Sequence, residues 1–203
     1  MTTNMFDAPE DSAAMTRLRA RLVADADNAG LLDVAYRTID TPVGTLLLAG
    51  TEVGLVRVAF AVEDHDTVLA TLAERISPRI LRSPARLDDA ARQLDQYFAH
   101  NRTTFDVPVD LRLAQGFRRT VVEHLRVIEY GRRQSYAEVA GAVGSPKAVR
   151  AVGTACAHNP LPVVIPCHRV VRSDGSAGQY VGGVAAKQTL LDFEQGMFSA
   201  SAQ

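Results

Sequence analysis

Cysteine is scarce. The 203-residue chain holds two, Cys156 and Cys167, too few for the disulfide framework of a small secreted domain, so a reducing compartment such as the cytoplasm is the expected setting. Long apolar runs are missing as well. The longest, 53–62, is interrupted by Arg57 and falls far short of the ~18 residues of a membrane span, so no membrane partner is expected. The first residues are polar and mildly acidic, without a basic-then-apolar leader. Net charge is almost absent too, at −1. What is present is ordinary globular composition, 47% hydrophobic and 22% charged, which excludes a disordered or fibrous chain and allows one large domain or two small ones.

The small net charge conceals a segregation. Residues 1–111 carry 11 Lys/Arg against 17 Asp/Glu, a net of −6, whereas residues 112–172 carry 10 against 3, a net of +7. A basic block inside an acidic chain fits either a local surface for a polyanion or an Arg-rich solvated face.

The pattern of elements divides at the same place. Within 1–30, Met15, Leu18, Leu22 and Val23 fall at helical spacing and predict a short amphipathic extension. Three β-prone runs follow at 34–39, 45–49 and 55–60, separated by Thr-Pro-Val-Gly and Thr-Glu-Val-Gly, which suit an antiparallel meander. Helical patterns cover 64–76 and 87–100, the second with Leu87, Leu94, Tyr97 and Phe98 on one face, and 105–109 is the expected last strand. Beyond Leu113 the signal is helical. Phe117, Val121, Leu125 and Ile128 repeat on one face, and Ser135-Tyr-Ala-Glu138 has the form of a capping box. Ser145-Pro146 reads as the N-cap and first position of a second helix over 147–158. Two helices joined by a Gly-containing turn are the ingredients of a helix-turn-helix, an outline that many αα-hairpins share.

The chemistry concentrates after that hairpin. A short buried strand or extended run is expected at 163–165, and then comes Pro166-Cys-His-Arg-Val170. A cysteine beside a histidine and an arginine is a candidate activated thiol, because nearby positive charge or a base populates the thiolate. A buried structural cysteine is the alternative reading. Cys156, His158, Cys167 and His168 match no usual zinc spacing, and Cys156 reads as a packing residue. Tyr180-Val181-Gly-Gly183 predicts a loop with exposed backbone, followed by a helix over 185–196 that carries Leu190, Leu191 and Phe193. Glu194 sits late on that helix, where the dipole disfavours an acid unless it has a partner, and His168 is the obvious candidate.

The run Ser135-Tyr-Ala-Glu-Val-Ala, Pro146-Lys-Ala-Val-Arg-Ala-Val-Gly153, Asn159-Pro160, Pro166-Cys-His-Arg-Val170, Gly178-Gln-Tyr-Val-Gly-Gly183 and Leu190-Leu-Asp-Phe-Glu194 resembles the O6-alkylguanine-DNA alkyltransferases. The weaker pattern Thr41-Pro-Val-Gly44 with Leu94…Tyr97-Phe98 extends the likeness over about residues 33–195. The resemblance implies an α+β fold: a 1–30 extension, a small antiparallel-sheet, ribonuclease H-like domain at 31–110, and a mostly helical, winged-helix-like domain at 111–203. It also implies DNA repair by a single, stoichiometric transfer of an alkyl group from O6 of guanine to Cys167 after base flipping. Cys167, His168, Glu194 and Asn159 match the reactive network, with His168 keeping Cys167 a thiolate through a water. Arg150 matches the arginine that fills the gap left by the flipped base, and Tyr136 the tyrosine that presses on the target phosphate backbone. Val170, Tyr180 and Val181 match base-pocket positions. The implied partner is double-stranded DNA containing O6-alkylguanine, bound through the minor groove by a monomer, with no cofactor and no metal. A non-catalytic sensor of alkylated bases is the alternative within the same fold. Two departures stand out: Val181 is apolar, so only its main chain can donate, and Gln179 precedes Tyr180 in place of a small residue.

Overall fold

The computed structural model describes residues 12–196. Its first half is built on strands β1 (Val34–Ile39), β2 (Leu46–Gly50), β3 (Leu55–Phe60) and β4 (Ile80–Arg82), in the order β3-β2-β1-β4. The β1–β2 and β2–β3 pairs are antiparallel, as the meander pattern predicts. The sheet as a whole is mixed rather than wholly antiparallel, because β4 lies parallel to β1 at the edge. A parallel neighbour requires a crossover, and helix α2 (His65–Arg75) supplies it between β3 and β4. Three residues between Pro78 and Ser83-Pro84 are too few to reveal an alternating pattern in sequence.

All of β2 is buried, and its alternation explains how. Leu46 and Leu48 point into the main core with Leu94 and Tyr97 of α3 (Asp88–Phe98), while Leu47 and Ala49 point the other way onto Val68 and Leu72 of α2. Fully burying one such leucine contributes about 1.5–3 kcal/mol. The expected strand at 105–109 is absent: a lone bridge joins Val109 to Leu55, where the Leu55 N–H meets the Pro108 carbonyl. Pro108 has no N–H of its own to extend the ladder.

An N-terminal helix, α1 (Ser12–Asn28), packs on this half through Val23 and Ala26, and Asp27 pairs with Arg86; Met15, Leu18 and Leu22, expected on its buried face, are exposed. The start of the predicted 1–30 extension lies outside the described residues.

The second half comprises α4 (Gly116–Leu125), α5 (Tyr136–Ala142), α6 (Val149–Ala157) and α7 (Gly183–Glu194). The capping box at the start of α5 is formed: Ser135 Oγ accepts the Glu138 N–H at 3.1 Å and Glu138 accepts the Ser135 N–H at 2.6 Å. Ser145 is not a helix cap. Residues 145–148 make a separate turn, with the Ala148 N–H on the Ser145 carbonyl at 2.8 Å, and α6 begins after it. A proline's fixed φ suits the first position of a turn as well as that of a helix. Residues 161–165 are not extended either; they form a turn closed by Ile165 N–H to Leu161 O at 2.7 Å, with Val163 at φ 71°.

A two-residue parallel ladder, β5 (Gln134–Ser135) with β6 (Val170–Val171), sets the start of α5 beside the Pro166–Val171 stretch. The two halves share one core, in which Leu94 and Tyr97 meet Val121, Leu125, Leu190 and Phe193. No described helix is long and apolar enough to cross a membrane.

Candidate active site

The reactive-looking motif occupies a single 3-10 turn, Cys167–Arg169, directly after Pro166. Asn159 holds the approach to it. Its amide donates to the Ile165 carbonyl at 2.8 Å and accepts the Leu161 N–H at 3.1 Å, closing the turn that carries Val163 in the left-handed region. A β-branched residue adopts that conformation only when its surroundings impose it.

Cys167 is 1% exposed and His168 is fully buried. Glu194, from the last turn of α7, reaches His168 Nε2 at 2.8 Å. The same carboxylate accepts the Tyr97 hydroxyl at 2.8 Å, the Gly131 N–H at 2.9 Å and the Arg169 guanidinium through both Nε and Nη2. Arg169 also donates to the Ile128 carbonyl. A buried acid at a helix C-terminus is unfavourable alone; five donors and one cation offset that. Burial resists ionisation of Glu194, but His168 and Arg169 outweigh it and hold the carboxyl well below its usual range. With Glu194 ionised, the proton of neutral His168 sits on Nε2, leaving the Nδ1 lone pair buried without a protein partner among the described residues. Burial lowers the His168 pKa, against the pull of Glu194. The ring therefore rests as a neutral base.

Burial pushes the Cys167 thiol up to about 11. Burial therefore works against the thiolate, and Asn159, Lys187 and Tyr180 work for it. Cys156 is buried as well and its thiol is raised further, mainly by desolvation.

Tyr136 opens α5 and is half-buried, its phenol raised to about 12 by burial and by the neighbouring Cys156 and Cys167. Gly178 is required beside it: the backbone there has φ +66°, and a Cβ would come within 3.1 Å of the Tyr136 hydroxyl. Lys187, 1% exposed, donates to the Val170 carbonyl at 2.6 Å and lies 3.5 Å from the Tyr136 hydroxyl. Burial lowers its pKa. Tyr180 meets the His168 ring edge-on at 6.4 Å and the Phe60 ring at 5.6 Å. Phe60 comes from β3, and a Cβ on Gly182 would fall within 2.7 Å of its ring, so the 178–183 loop rests directly on the sheet half.

Of the residues singled out in the sequence, Cys167, His168, Glu194, Asn159, Tyr136, Val170 and Tyr180 therefore converge. Val181 lines a cleft that adjoins them. Arg150 stands apart, exposed on the first turn of α6. Sequence reasoning missed Lys187, the Gly131 amide and the Tyr97 hydroxyl, and it read Arg169 as a charge near Cys167 rather than as the partner of Glu194. Lys187 left a signal, since it occupies the apolar stripe of α7 with Leu190, Leu191 and Glu194. The amide of Gly131 left none. Among the described residues no three His, Cys, Asp or Glu side chains gather as metal ligands.

The chain matches two family models: the 6-O-methylguanine DNA methyltransferase ribonuclease-like domain over residues 34–111, and the DNA binding domain of the same family over 116–196. A methylated-DNA–protein-cysteine methyltransferase from Mycolicibacterium paratuberculosis is 39% identical over 162 residues, 80% of this chain and 93% of that protein. The constitutive enzyme of that name from Bacillus subtilis is 37% identical over 161 residues, 79% of this chain and 94% of that protein. Among solved structures, Mycobacterium tuberculosis OGT in complex with DNA superposes with a TM-score of 0.72 at 37% identity, covering 82% of this chain and 96% of that one.

Proposed function

The chain belongs to the 6-O-methylguanine DNA methyltransferase family and is a methylated-DNA–protein-cysteine methyltransferase, an enzyme of DNA repair; from that premise we propose how its residues perform the transfer. The observation that carries the reading is the Glu194–His168 pair beside the buried Cys167, with His168 Nδ1 left free as a base. The substrate is O6-alkylguanine in double-stranded DNA. O6 lies inside the base stack, so the nucleotide is flipped out, at a cost of a few kcal/mol that is smallest for a damaged pair. Arg150, exposed on α6, fills the gap from the minor groove, and residues 111–203 form the DNA-binding and active-site domain. Residues 31–110 are the supporting domain behind a 1–30 extension.

The Cys167 thiol gives its proton to His168 Nδ1, directly or through one water, and Glu194 stabilises the imidazolium. The sulfur then attacks the alkyl carbon: the S–C bond forms as the C–O6 bond breaks, and the electron pair passes to guanine. Charge building at O6 and N3 is met by the Tyr136 phenol and a backbone N–H near Val181. Lys187, beside the Tyr136 hydroxyl, favours a proton shift from the phenol toward the base by stabilising the phenolate that forms. The product is a thioether on Cys167, which nothing in the site reverses, so each molecule acts once, as a monomer in the reducing cytoplasm. A pure lesion sensor has no use for a buried thiol next to a histidine held by a carboxylate.

The test is to incubate the protein with an O6-methylguanine duplex and map peptide masses. A gain of one methyl on the Cys167 peptide, lost in Cys167→Ser, is expected. Lesion binding without any gain in mass contradicts the reading.

A further inference from the structure

A cleft of about 300 Å³ lies between the two halves, and the mechanism uses only its Asn159 and Val181 edge. Its walls come from α2 (Arg75), the start of α4 (Arg118), the end of α6 (Ala157, His158) and the loop residue Val181. The charge within it is one-sided. Its one carboxylate, Glu63, is neutralised by Arg57 and accepts the Phe60 N–H. Arg118 is half-buried and has no ion pair among the described residues, although its neighbour Arg119 is tied to Glu123 at 2.9 Å. Arg75 has no such partner either. His158 turns Nδ1 to the Thr154 carbonyl, leaving Nε2 open.

The cleft also continues the surface that Arg150 begins. Arg150, Thr154 and Ala157 recur at i, i+4 and i+7 on α6, which places them on one helix face, and all three are exposed. That face is roughly 10 Å long at 1.5 Å per residue. At its far end Ala157 becomes part of the cleft wall, and at the near side the cleft reaches Asn159 and Val181 of the reactive site. A strand whose target nucleotide sits at Arg150 and runs along this face is led into the cleft. Two guanidinium groups without carboxylate partners match a phosphodiester, to which they can donate bidentately.

We propose that this cleft is a phosphodiester-binding groove in which Arg118 and Arg75 hold the backbone of the lesion-bearing strand, extending the DNA footprint onto the sheet half. The proposal rests on the alkyltransferase reading above. It is tested by measuring affinity for an O6-methylguanine duplex as a function of salt in the wild type, Arg118→Ala, Arg75→Ala, their lysine counterparts, and Arg92→Ala as an equal loss of charge on α3. Each phosphate contact contributes about 0.9 to the slope of log affinity against log salt. Each alanine variant in the cleft is therefore expected to flatten the slope by about 1, roughly a 3–4-fold smaller loss of affinity between 50 and 200 mM salt. Lysine restores the slope, and Arg92→Ala leaves it unchanged. The ratio of transfer from duplex to transfer from free O6-benzylguanine falls in the cleft variants. Wild-type slopes in both alanine variants overturn the proposal. So does a change confined to the preference between methyl and larger alkyl groups, which would make the cleft a seat for the alkyl tail. A wild type that transfers nothing from duplex refutes the parent reading, whereas normal transfer with unaltered slopes refutes only the groove.

Discussion

The sheet half pairs most of its arginines with carboxylates, whereas the helical half leaves more of its own unpaired. In the first, Arg37, Arg57, Arg79, Arg86, Arg92 and Arg102 each meet a carboxylate. In the second, Arg118 and Arg150 have no ion pair among the described residues, Arg119 is tied to Glu123, and Arg169 is sealed against Glu194. The exposed pairs among these contribute about 0–1 kcal/mol each, so the covering of both faces of β2 holds that half more than its surface charges do. In the second half the exposed cations stay open, and the buried one, Arg169, is paired with the carboxylate that also holds His168. The division is not complete, however. Tyr97, Phe60 and Arg57 cross it, touching Glu194, Tyr180 and the Pro160 carbonyl respectively.

Breaking the buried carboxylate should produce the largest effect. Glu194→Gln leaves Arg169 buried without its counter-ion, a loss of about 3–5 kcal/mol by denaturant unfolding. It also removes the charge that stabilises imidazolium, so single-turnover transfer should slow by roughly 100-fold; an unchanged rate would remove Glu194 from the network. Leu47→Ala tests the other side of the contrast. A cavity between β2 and α2 is expected to cost about 2–5 kcal/mol while the transfer rate of the folded fraction stays within twofold. Tyr97→Phe sharpens the link between the halves. Losing one hydrogen bond to a charged acceptor should cost about 1.5 kcal/mol, with a smaller effect on transfer than Glu194→Gln.

Acid gives the smallest and most graded response. The folded pKa of His168 is depressed, so its stabilising contribution is complete above the ordinary histidine value of about 6.5 and is lost as pH falls through the folded value. Glu194 follows the same sign, its contribution being lost only below the ordinary carboxylate value of about 4.3. Unfolding free energy should fall by at most about 1.4 kcal/mol per pH unit from His168 below pH 6.5. A His168→Asn variant should lack that first decline; if it retains the decline, His168 is not its source.

Much of this was legible in the chain itself. The Ser135–Glu138 cap and the meander depend on local spacing, which sequence records directly, whereas Cys167, His168 and Glu194 were grouped through the family resemblance. Other features depend on tertiary approach. Tyr97 reads as one more apolar residue on α3 until α7 brings Glu194 to its hydroxyl. Val163 has strong strand propensity, yet the Asn159 clamp forces it to φ 71°. Pro146 satisfies a turn and a helix start equally well, so its neighbours could not be assigned from propensity. The burial that raises the Cys167 thiol is likewise a property of the packed core, which the residues of the motif do not record.

Stoichiometry tests alkyl acceptance by Cys167 most directly. With O6-methylguanine duplex in large excess, repaired bases counted against protein molecules should rise to a plateau of about one and stop, with Cys167→Ser repairing none. Repair continuing well past one equivalent, or a plateau that survives Cys167→Ser, would contradict it.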